Sequence, residues 1–217
     1  MSMPSDSMPP DRRSRKRLAT RQGISNVATR LFLERGFDHV TVDEIAAAAD
    51  VGRMTVFNHF PRKEDMFFDR DEEGREMLRE ALRQRHPSVS PIETLRLLAH
   101  QLVAEESPYL RFTAMSQSFI DTIEASDTLK ARARAIRDEI AHVVAVALSE
   151  CVGRKPDDPN AHLAAGILLA TWTVGFIQAH RAFRQRQDTE EAKAVFLAAV
   201  DKGTTGLNAA LAATPYA

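Results

Sequence analysis

The sequence has few of the residues and patterns on which several protein classes depend. It contains a single cysteine, Cys151, which excludes an internal disulfide framework and fits a reducing cytosol. Glycine and proline are scarce, at 9 and 10 of 217 residues, and strand-like alternation of apolar and polar residues is hard to find. Alanine, leucine, arginine and glutamate dominate instead, and because these residues favour helix we predict an all-α fold.

Apolar spacing, capping residues and prolines predict where the helices lie. The first helix should run from about Leu18 to Arg35, and one long fourth helix from residue 62 to about residue 85. Gly203 and Gly206 should weaken the last helix near its end. Other helices should start near Ser90, Ser107, Ser126 and Pro159.

The motifs that carry catalysis or hold metals are also missing. There is no glycine-rich phosphate loop, no nucleophile elbow and no HExxH zinc motif. Glu139 and His142 form one ExxH pair, whereas a di-iron bundle needs two such pairs and two more glutamates. The acidic run at residues 69–73 would point in several directions on a helix, so it predicts a solvated face. We therefore expect no catalytic residue, no metal site and no cofactor.

No apolar run reaches the length of a membrane span, and none follows the charged N-terminus as in a signal peptide. The longest run, residues 163–177, falls short of the roughly 20 residues that cross a bilayer. A helix that is apolar all round is buried on every side, and a second copy of the chain is its simplest cover. We expect a cytoplasmic homodimer with no membrane partner.

The positive charge is concentrated near the N-terminus, although the formal net charge of the whole chain is only −1. Residues 12–63 hold eleven Lys and Arg against five Asp and Glu. Such a local excess is the footprint that phosphate binding requires. Residues 11–17, DRRSRKR, predict either a basic arm that follows DNA phosphates or a soluble tail.

Residues 41–60, TVDEIAAAADVGRMTVFNHF, predict two short helices joined by a tight turn. Thr41 and Glu44 have the spacing of a capping box, in which each side chain satisfies an unpaired main-chain N–H group. The alanines that follow give the first helix a small apolar face, which allows a close helix crossing. Asp50 interrupts the run and tolerates the left-handed conformation of a turn.

The second of these helices has the composition of a DNA-reading element. Gly52 would cap it, while Val56 and Phe60 face inward at helical spacing. The side chains left over are donors, a hydroxyl and apolar groups at positions that would otherwise be exposed: Arg53, Met54, Thr55, Phe57, Asn58 and His59.

The longer pattern RLFLERGFDHVTVDEIAAAADVGRMTVFNHFPRKEDMF closely resembles the helix-turn-helix domain of the TetR family of bacterial transcriptional regulators, over roughly residues 17–68. The resemblance implies an all-helical homodimer with a three-helix DNA-binding domain followed by a helical ligand-binding and dimerisation domain, about nine helices in all. It implies a disordered basic arm at residues 1–16, a DNA-binding domain at residues 17–65 and a second domain at residues 66–217. Most members are repressors that leave a palindromic operator when a small ligand binds.

Matching positions carry the family's DNA contacts over to this chain. We expect Arg53 and Asn58 to read base edges, because a guanidinium pairs with guanine and an amide with adenine. Met54 would contact a thymine methyl group. Phe57 stands where the family usually has tyrosine, so a phosphate-bonding hydroxyl is missing. The expected phosphate contacts, which fix register without reading sequence, are Thr41, Thr55, His59 and Lys63.

The resemblance also implies an apolar effector cavity in the second domain and a dimer interface formed by the last two helices. An aromatic and methionine set falls in that region, and such a set is either ordinary core or the wall of the cavity. We expect an unidentified hydrophobic effector to touch members of this set: Phe112, Met115, Phe119, Trp172 and Phe176.

Two other functions compete with a ligand-responsive repressor. One is a DNA-binding protein that has no ligand and acts architecturally. The other is an enzyme or carrier with an incidental helix-turn-helix, for which the sequence offers no catalytic constellation. A ligand that stabilises the protein would distinguish the first from a true repressor.

Overall fold

The computed structural model describes residues 11–217, and in this range it contains ten α-helices, two short 3-10 turns and no strand. The all-α prediction is confirmed. The chain divides into two compact units, one ending at Asp69 and the other spanning Arg70–Ala217. The first ten residues of the expected disordered arm lie outside the described range.

The first unit is built from four helices around one apolar core. These helices are α1 (Arg12–Arg35), α2 (Val42–Ala48), α3 (Arg53–His59) and the short α4 (Glu64–Phe67). Gly36 ends α1 with φ +84°, a left-handed conformation that glycine adopts without steric cost. The fully enclosed side chains come from every helix and from the 3-10 turn after α1: Ile24, Ala28, Phe32, Phe37, Ile45, Val56, Phe60, Met66 and Phe67.

The start of α1 differs from the sequence prediction. We expected the helix to begin near Leu18, with residues up to 16 in a disordered arm, but α1 begins at Arg12. The Asp11 side chain caps this end by accepting a hydrogen bond from the Ser14 main-chain nitrogen at 2.6 Å. The basic residues of the expected arm therefore form the first turns of a helix.

A single long fourth helix was also expected, and the structure interrupts it at residues 68–70. Phe68 and Arg70 leave the helical region with ψ of 39° and 12°. The Asp69 carboxylate accepts hydrogen bonds from two α1 side chains, Ser25 and Gln22. Because these partners hold Asp69 against α1, they favour a break in the helix at residues 68–70. The described residues therefore contain ten helices, where about nine were expected.

The second unit contains six helices, and side-chain caps mark most of their starts. They are α5 (Asp71–Arg83), α6 (Pro91–Ala104), α7 (Ala114–Ala125), α8 (Asp127–Cys151), α9 (Pro159–Arg186) and α10 (Thr189–Ala210). The expected start of α7 near residue 107 is wrong, because residues 108–110 form a 3-10 turn and a capping box of Thr113 and Ser116 starts the helix.

Helices α9 and α10 pack closely at two glycines. A Cβ atom added to Gly203 on α10 would lie 2.2 Å from Thr171 Cγ2 on α9, and one added to Gly175 would lie 3.1 Å from Ala199 Cβ. Side chains from α5, α6, α8 and the C-terminal residues join the same interior, where Tyr216 is fully buried. The glycines allow the two helix axes to approach at these points.

Within one protomer, helix α9 is buried on one side only, and the expected cover by a second copy concerns its other side. Leu163, Val174 and Ile177 are 49%, 55% and 42% exposed. An 18-residue window of this helix has a mean hydropathy of 1.4, and 28% of it is buried. By length and composition alone, α9 could cross a membrane. This is weak evidence for a membrane span, because core helices of soluble proteins meet the same criteria of length and hydropathy.

Candidate functional site

The turn between α2 and α3 has the geometry that the sequence predicts. The Thr41 hydroxyl oxygen accepts from the Glu44 main-chain nitrogen at 3.2 Å, and Glu44 Oε2 accepts from the Thr41 nitrogen at 2.8 Å. The hydrogen bonds that the Glu44 carboxylate accepts from the main-chain N–H and the hydroxyl of Thr41 lower the pKa of this carboxyl group. Asp50 adopts φ +52°, as expected for a left-handed turn residue. Because the Thr41 hydroxyl also donates to Glu44, it is already engaged before any DNA arrives.

Helix α3 has one buried and one exposed face. Val56 and Phe60, which closes the helix, are completely enclosed. Met54 is 70% exposed and Phe57 is 37% exposed, although both are apolar. Arg53 and Asn58 are exposed on the same short helix. These four side chains are therefore presented outward by a helix whose inner face is fixed in the core.

Arg53 is held by a neighbour on α2 in the absence of DNA. Its guanidinium group donates to both carboxylate oxygens of Asp43, at 3.0 and 2.8 Å, and lies 5.5 Å from the centre of the Phe57 ring. Both side chains of the ion pair are more than half exposed. Exposed pairs of this kind contribute roughly 0–1 kcal/mol, so Arg53 can leave Asp43 at little cost.

Thr55 and His59 are half-buried, at the edge of the exposed face. Burial lowers the pKa of His59, and the charges of Arg17 and Arg21 lower it further. The imidazole is therefore neutral at pH 7 and keeps one N–H donor. Arg21 also fixes this end of α3, because it donates to the His59 carbonyl oxygen and its guanidinium lies 4.0 Å from the Phe60 ring centre.

Lys63 lies in a more enclosed position than a purely phosphate-binding lysine requires. Its Nζ atom donates to the main-chain oxygens of Phe37 and Val40 at 2.7 and 2.8 Å. It also lies 4.1 Å from the centre of the Phe37 ring. Burial lowers the pKa of the ammonium group. Two of its three N–H donors are used inside the protein, which leaves one for a phosphate.

A basic groove, which sequence reasoning did not identify, runs between the start of α1 and the end of α3. Its volume is about 390 Å³. The α1 residues in it follow the spacing i, i+3, i+4, i+7, which is one face of a helix. We missed this face because the residues were assigned to a disordered arm, although the spacing was visible. The groove is lined by Arg13, Lys16, Arg17, Thr20, Asn58 and His59.

The second unit brings together part of the predicted effector set. The Phe112 ring centre lies 6.1 Å from that of Phe176, and the Trp172 ring centre lies 6.1 Å from that of Phe196. Phe112 is fully buried, whereas Trp172 and Phe176 are half-buried. We define the aromatic cluster as these four residues and His180, which lies among them: Phe112, Trp172, Phe176, His180 and Phe196.

The other two predicted members, Met115 and Phe119, lie on α7. Met115 is 77% exposed near the start of this helix, in its first turn, and lies outside the aromatic cluster. Phe119 is half-buried on the same helix. The sequence favoured His180 as a core or surface histidine over a pocket residue, and the structure buries it to 2% exposure.

Comparison with known proteins identifies the first unit. Residues 24–69 match the family described as bacterial regulatory proteins, tetR family. The regulator TcmR of Streptomyces glaucescens is 42% identical over 57 residues, which are 26% of this chain. The matched segment spans about a quarter of the length of that relative. The sequence likeness to this relative therefore covers about a quarter of either chain.

Solved structures extend the likeness in fold to most of the chain. SmeT of Stenotrophomonas maltophilia, in its complex with triclosan, has a TM-score of 0.57 and 19% identity, and the match covers 87% of this chain and 91% of SmeT. FadR of Thermus thermophilus, in complex with lauroyl-CoA, has a TM-score of 0.52 and 23% identity, with 86% and 92% covered. At these identities the second unit shares the fold of these regulators.

Proposed function

We propose that this chain, as a member of the TetR family of bacterial transcriptional regulators, is a repressor. It binds a palindromic operator, and a small hydrophobic effector releases it from the DNA. The observation that carries the proposal is the exposed face of α3. Two apolar side chains, Met54 and Phe57, stay in solvent there beside Arg53 and Asn58, while the opposite face is fully enclosed. A helix of this design fits the major groove of duplex DNA.

Sequence reading is assigned to three side chains of α3. Arg53 leaves Asp43 and donates both ends of its guanidinium to guanine, and Asn58 pairs with adenine. Met54 contacts a thymine methyl group. Phe57 supplies an apolar contact in place of the tyrosine hydroxyl usual in the family. The remaining residues contact phosphates and fix the register of the protein on DNA without reading sequence. For these contacts we propose Thr41, Thr55, His59 and Lys63.

The basic groove adds phosphate contacts that extend the footprint beyond α3. Arg13, Lys16 and Arg17 project from one face of α1 next to Asn58 and His59. No acidic residue lies in the first turn of α1, so these cations oppose the helix dipole. A polyanion on this face relieves that repulsion, which supports the assignment of the groove to the DNA backbone.

Two copies of the chain are needed to reach both halves of a palindrome. The exposed apolar stripe on α9, with Leu163, Val174 and Ile177, supports a homodimer through α9 and α10. A two-fold dimer presents its recognition helices about 34–36 Å apart, which matches successive major grooves. An effector that favours another spacing releases the DNA through a population shift.

The effector site is assigned to the aromatic cluster of the second unit. SmeT and FadR, which share the fold, have been solved in complex with triclosan and lauroyl-CoA, respectively. Both ligands have large apolar parts, and the aromatic cluster offers rings against which such a part packs. The most direct support is that two of its rings, Trp172 and Phe176, are only half-buried and so connect the interior with the surface.

Selection of duplexes from a random pool with the full chain tests the proposal. We expect a palindrome with half-sites centred about 10 base pairs apart or a multiple of that spacing. Arg53→Ala should relax the preference at one position of each half-site by about 1–3 kcal/mol. In contrast, the double change Arg13→Ala with Lys16→Ala should weaken all sequences alike and reduce the salt dependence of binding.

A matched control distinguishes the contribution of the groove residues to DNA binding from the effect of removing any two positive charges. Arg12→Ala with Arg15→Ala removes the same charge from the same turns, but these residues do not line the groove. This pair should retain most of the wild-type salt slope. Equal effects of the two double variants would contradict the assignment of the groove, and a selection that returns no preferred sequence would contradict the repressor itself.

A further inference from the structure

His180 on α9 is a buried titratable side chain with an unsatisfied polar atom. It is 2% exposed, and its ring centre lies 5.1 Å from that of Phe112 and 4.5 Å from that of Phe176. Its Nε2 atom is buried and has no hydrogen-bond partner within residues 11–217. Buried polar atoms almost always have a partner, so each exception points to a missing ligand or another specific cause.

The neighbours of His180 determine which of its nitrogens carries the proton. Gln117 on α7 is also buried, and its Nε2 donates to Asp121 Oδ1 at 2.8 Å. Arg184 donates to the same carboxylate oxygen at 2.7 Å, which fixes Asp121. The amide of Gln117 is therefore oriented with Oε1, which only accepts, toward His180 Nδ1 at 3.3 Å. It follows that Nδ1 carries the hydrogen and donates it.

The imidazole is neutral, and its free nitrogen is an acceptor. Burial is the main cause that lowers the pKa of His180 to about 4; the charge of Arg184 acts in the same direction, and the charges of Asp121 and Glu124 oppose it. A neutral ring with its hydrogen on Nδ1 has a lone pair on Nε2. The unsatisfied atom thus requires a hydrogen-bond donor, and only a hydroxyl, an amide N–H or a similar group supplies one.

We propose that His180 Nε2 accepts a hydrogen bond from a hydroxyl or N–H group of the effector, while the rings of the aromatic cluster hold the apolar part. The inference rests on the proposed function for the idea that an effector binds here, and it adds the chemical class. A neutral alcohol, phenol or amide satisfies the site. Ethers and carboxylates of the same shape do not.

A second unsatisfied atom extends the description of the ligand. Trp172 Nε1 is buried and has no hydrogen-bond partner among the described residues, and an indole N–H is a donor only. Trp172, Phe176 and His180 recur at intervals of four residues, so they share one face of α9. Eight residues of helix span about 12 Å. A larger effector therefore presents a donor at the His180 end and an acceptor at the Trp172 end.

The test uses alkylphenols of increasing chain length, from phenol to nonylphenol, each paired with its methyl ether. Binding to the full-length protein is measured by calorimetry. We expect at least one phenol to bind at least tenfold more tightly than its ether, because the ether leaves Nε2 without a donor. In His180→Phe, which keeps an aromatic ring, the phenol and its ether should bind within twofold of each other.

His180→Gln provides a control should the phenylalanine variant fold poorly. It retains a side-chain acceptor and should keep part of the preference for phenol. Equal affinity of every phenol and its ether in the wild type, or an undiminished preference for the phenol in His180→Phe, would overturn the proposal. Failure of the whole series to bind would overturn it as well.

DNA binding measured in the same samples separates this inference from the proposed function. A phenol preference that depends on His180 without any change in affinity for DNA leaves the ligand site intact and contradicts the repressor mechanism. Release of DNA by phenols and ethers alike supports the repressor and contradicts the role of His180.

Discussion

At the scale of single residues, Lys63 shows how a side chain expected to serve DNA also supports the fold. Its ammonium group bridges the carbonyl oxygens of Phe37 and Val40 and contacts the Phe37 ring. These atoms belong to the 3-10 turn after α1 and to the residue that follows it. Lys63 therefore connects this turn with the start of α4, and removing its charge leaves two carbonyl oxygens without their donor.

We expect Lys63→Met, which keeps an apolar stem of similar length, to lower the free energy of unfolding by about 1–3 kcal/mol, the usual cost of unsatisfied buried groups. Urea denaturation measures the change. Lys16→Met is the control, because Lys16 is exposed and should shift stability by no more than about 0.5 kcal/mol. Equal stability of Lys63→Met and the wild type would mean that the two hydrogen bonds contribute nothing.

In the first unit, the features that could be predicted from sequence are those that depend on residues nearby in the chain. The capping box of Thr41 and the left-handed turn at Asp50 depend on neighbours within a few residues, and both predictions are confirmed. The bonds of Lys63 reach back to carbonyl groups more than twenty residues earlier. Their positions depend on how the turn after α1 packs, which spacing along the chain does not encode.

At the scale of helices, Gly203 has a role that its low helix propensity concealed. Sequence reasoning treated Gly203 and Gly206 alike, as residues that weaken α10 near its end. The structure separates them, because a Cβ atom at Gly203 would lie within 2.8 Å of three Thr171 atoms, including the rigid Cβ, whereas nothing lies within 4 Å of one at Gly206.

Gly203→Ala is expected to destabilise the protein, although alanine favours helix over glycine by about 1 kcal/mol. The overlap with Thr171 forces α10 away from α9, and overpacking of this kind costs about 1–3 kcal/mol or more. Gly206→Ala, in the same helix, should be neutral or stabilising. Thermal unfolding of both variants gives the comparison, and a rise in melting temperature for Gly203→Ala would show that the helices separate freely.

The helices themselves were predictable to different degrees. Ser90, Ser126 and Pro159 mark the starts of α6, α8 and α9 within one residue of the predictions, because caps and proline act locally. The extension of α1 was missed because a run of cations suggested disorder. The break after α4 was missed because its cause, the contacts of Asp69 with α1, joins segments far apart in sequence.

At the scale of the whole molecule, the exposed apolar stripe on α9 is the feature on which the proposed homodimer rests. Leu163, Val174 and Ile177 lie on a helix whose other side is tightly packed against α10. An apolar surface of this kind in contact with water marks an interaction site. In the proposed homodimer this stripe would be covered, and two copies of α3 would reach one DNA duplex.

Val174→Arg should therefore convert the proposed dimer into a monomer at micromolar concentration and reduce operator binding by at least a hundredfold. An unpaired charge in the centre of an apolar interface is strongly unfavourable. Met115→Arg is the control, because Met115 is also an exposed apolar residue but lies on α7. Sedimentation velocity distinguishes the two states, and a dimer formed by Val174→Arg would place the interface elsewhere.

The position of Trp172 gives the protein a built-in optical reporter. It is the only tryptophan of the chain, and its indole ring meets Phe196 edge-on at 6.1 Å within the aromatic cluster. Ultraviolet emission excited at the red edge of the absorption band therefore comes from this one point. A shift in the wavelength of this emission, or its quenching, when a ligand is titrated reports rearrangement around α9 and α10 without any dye, label or engineered chromophore.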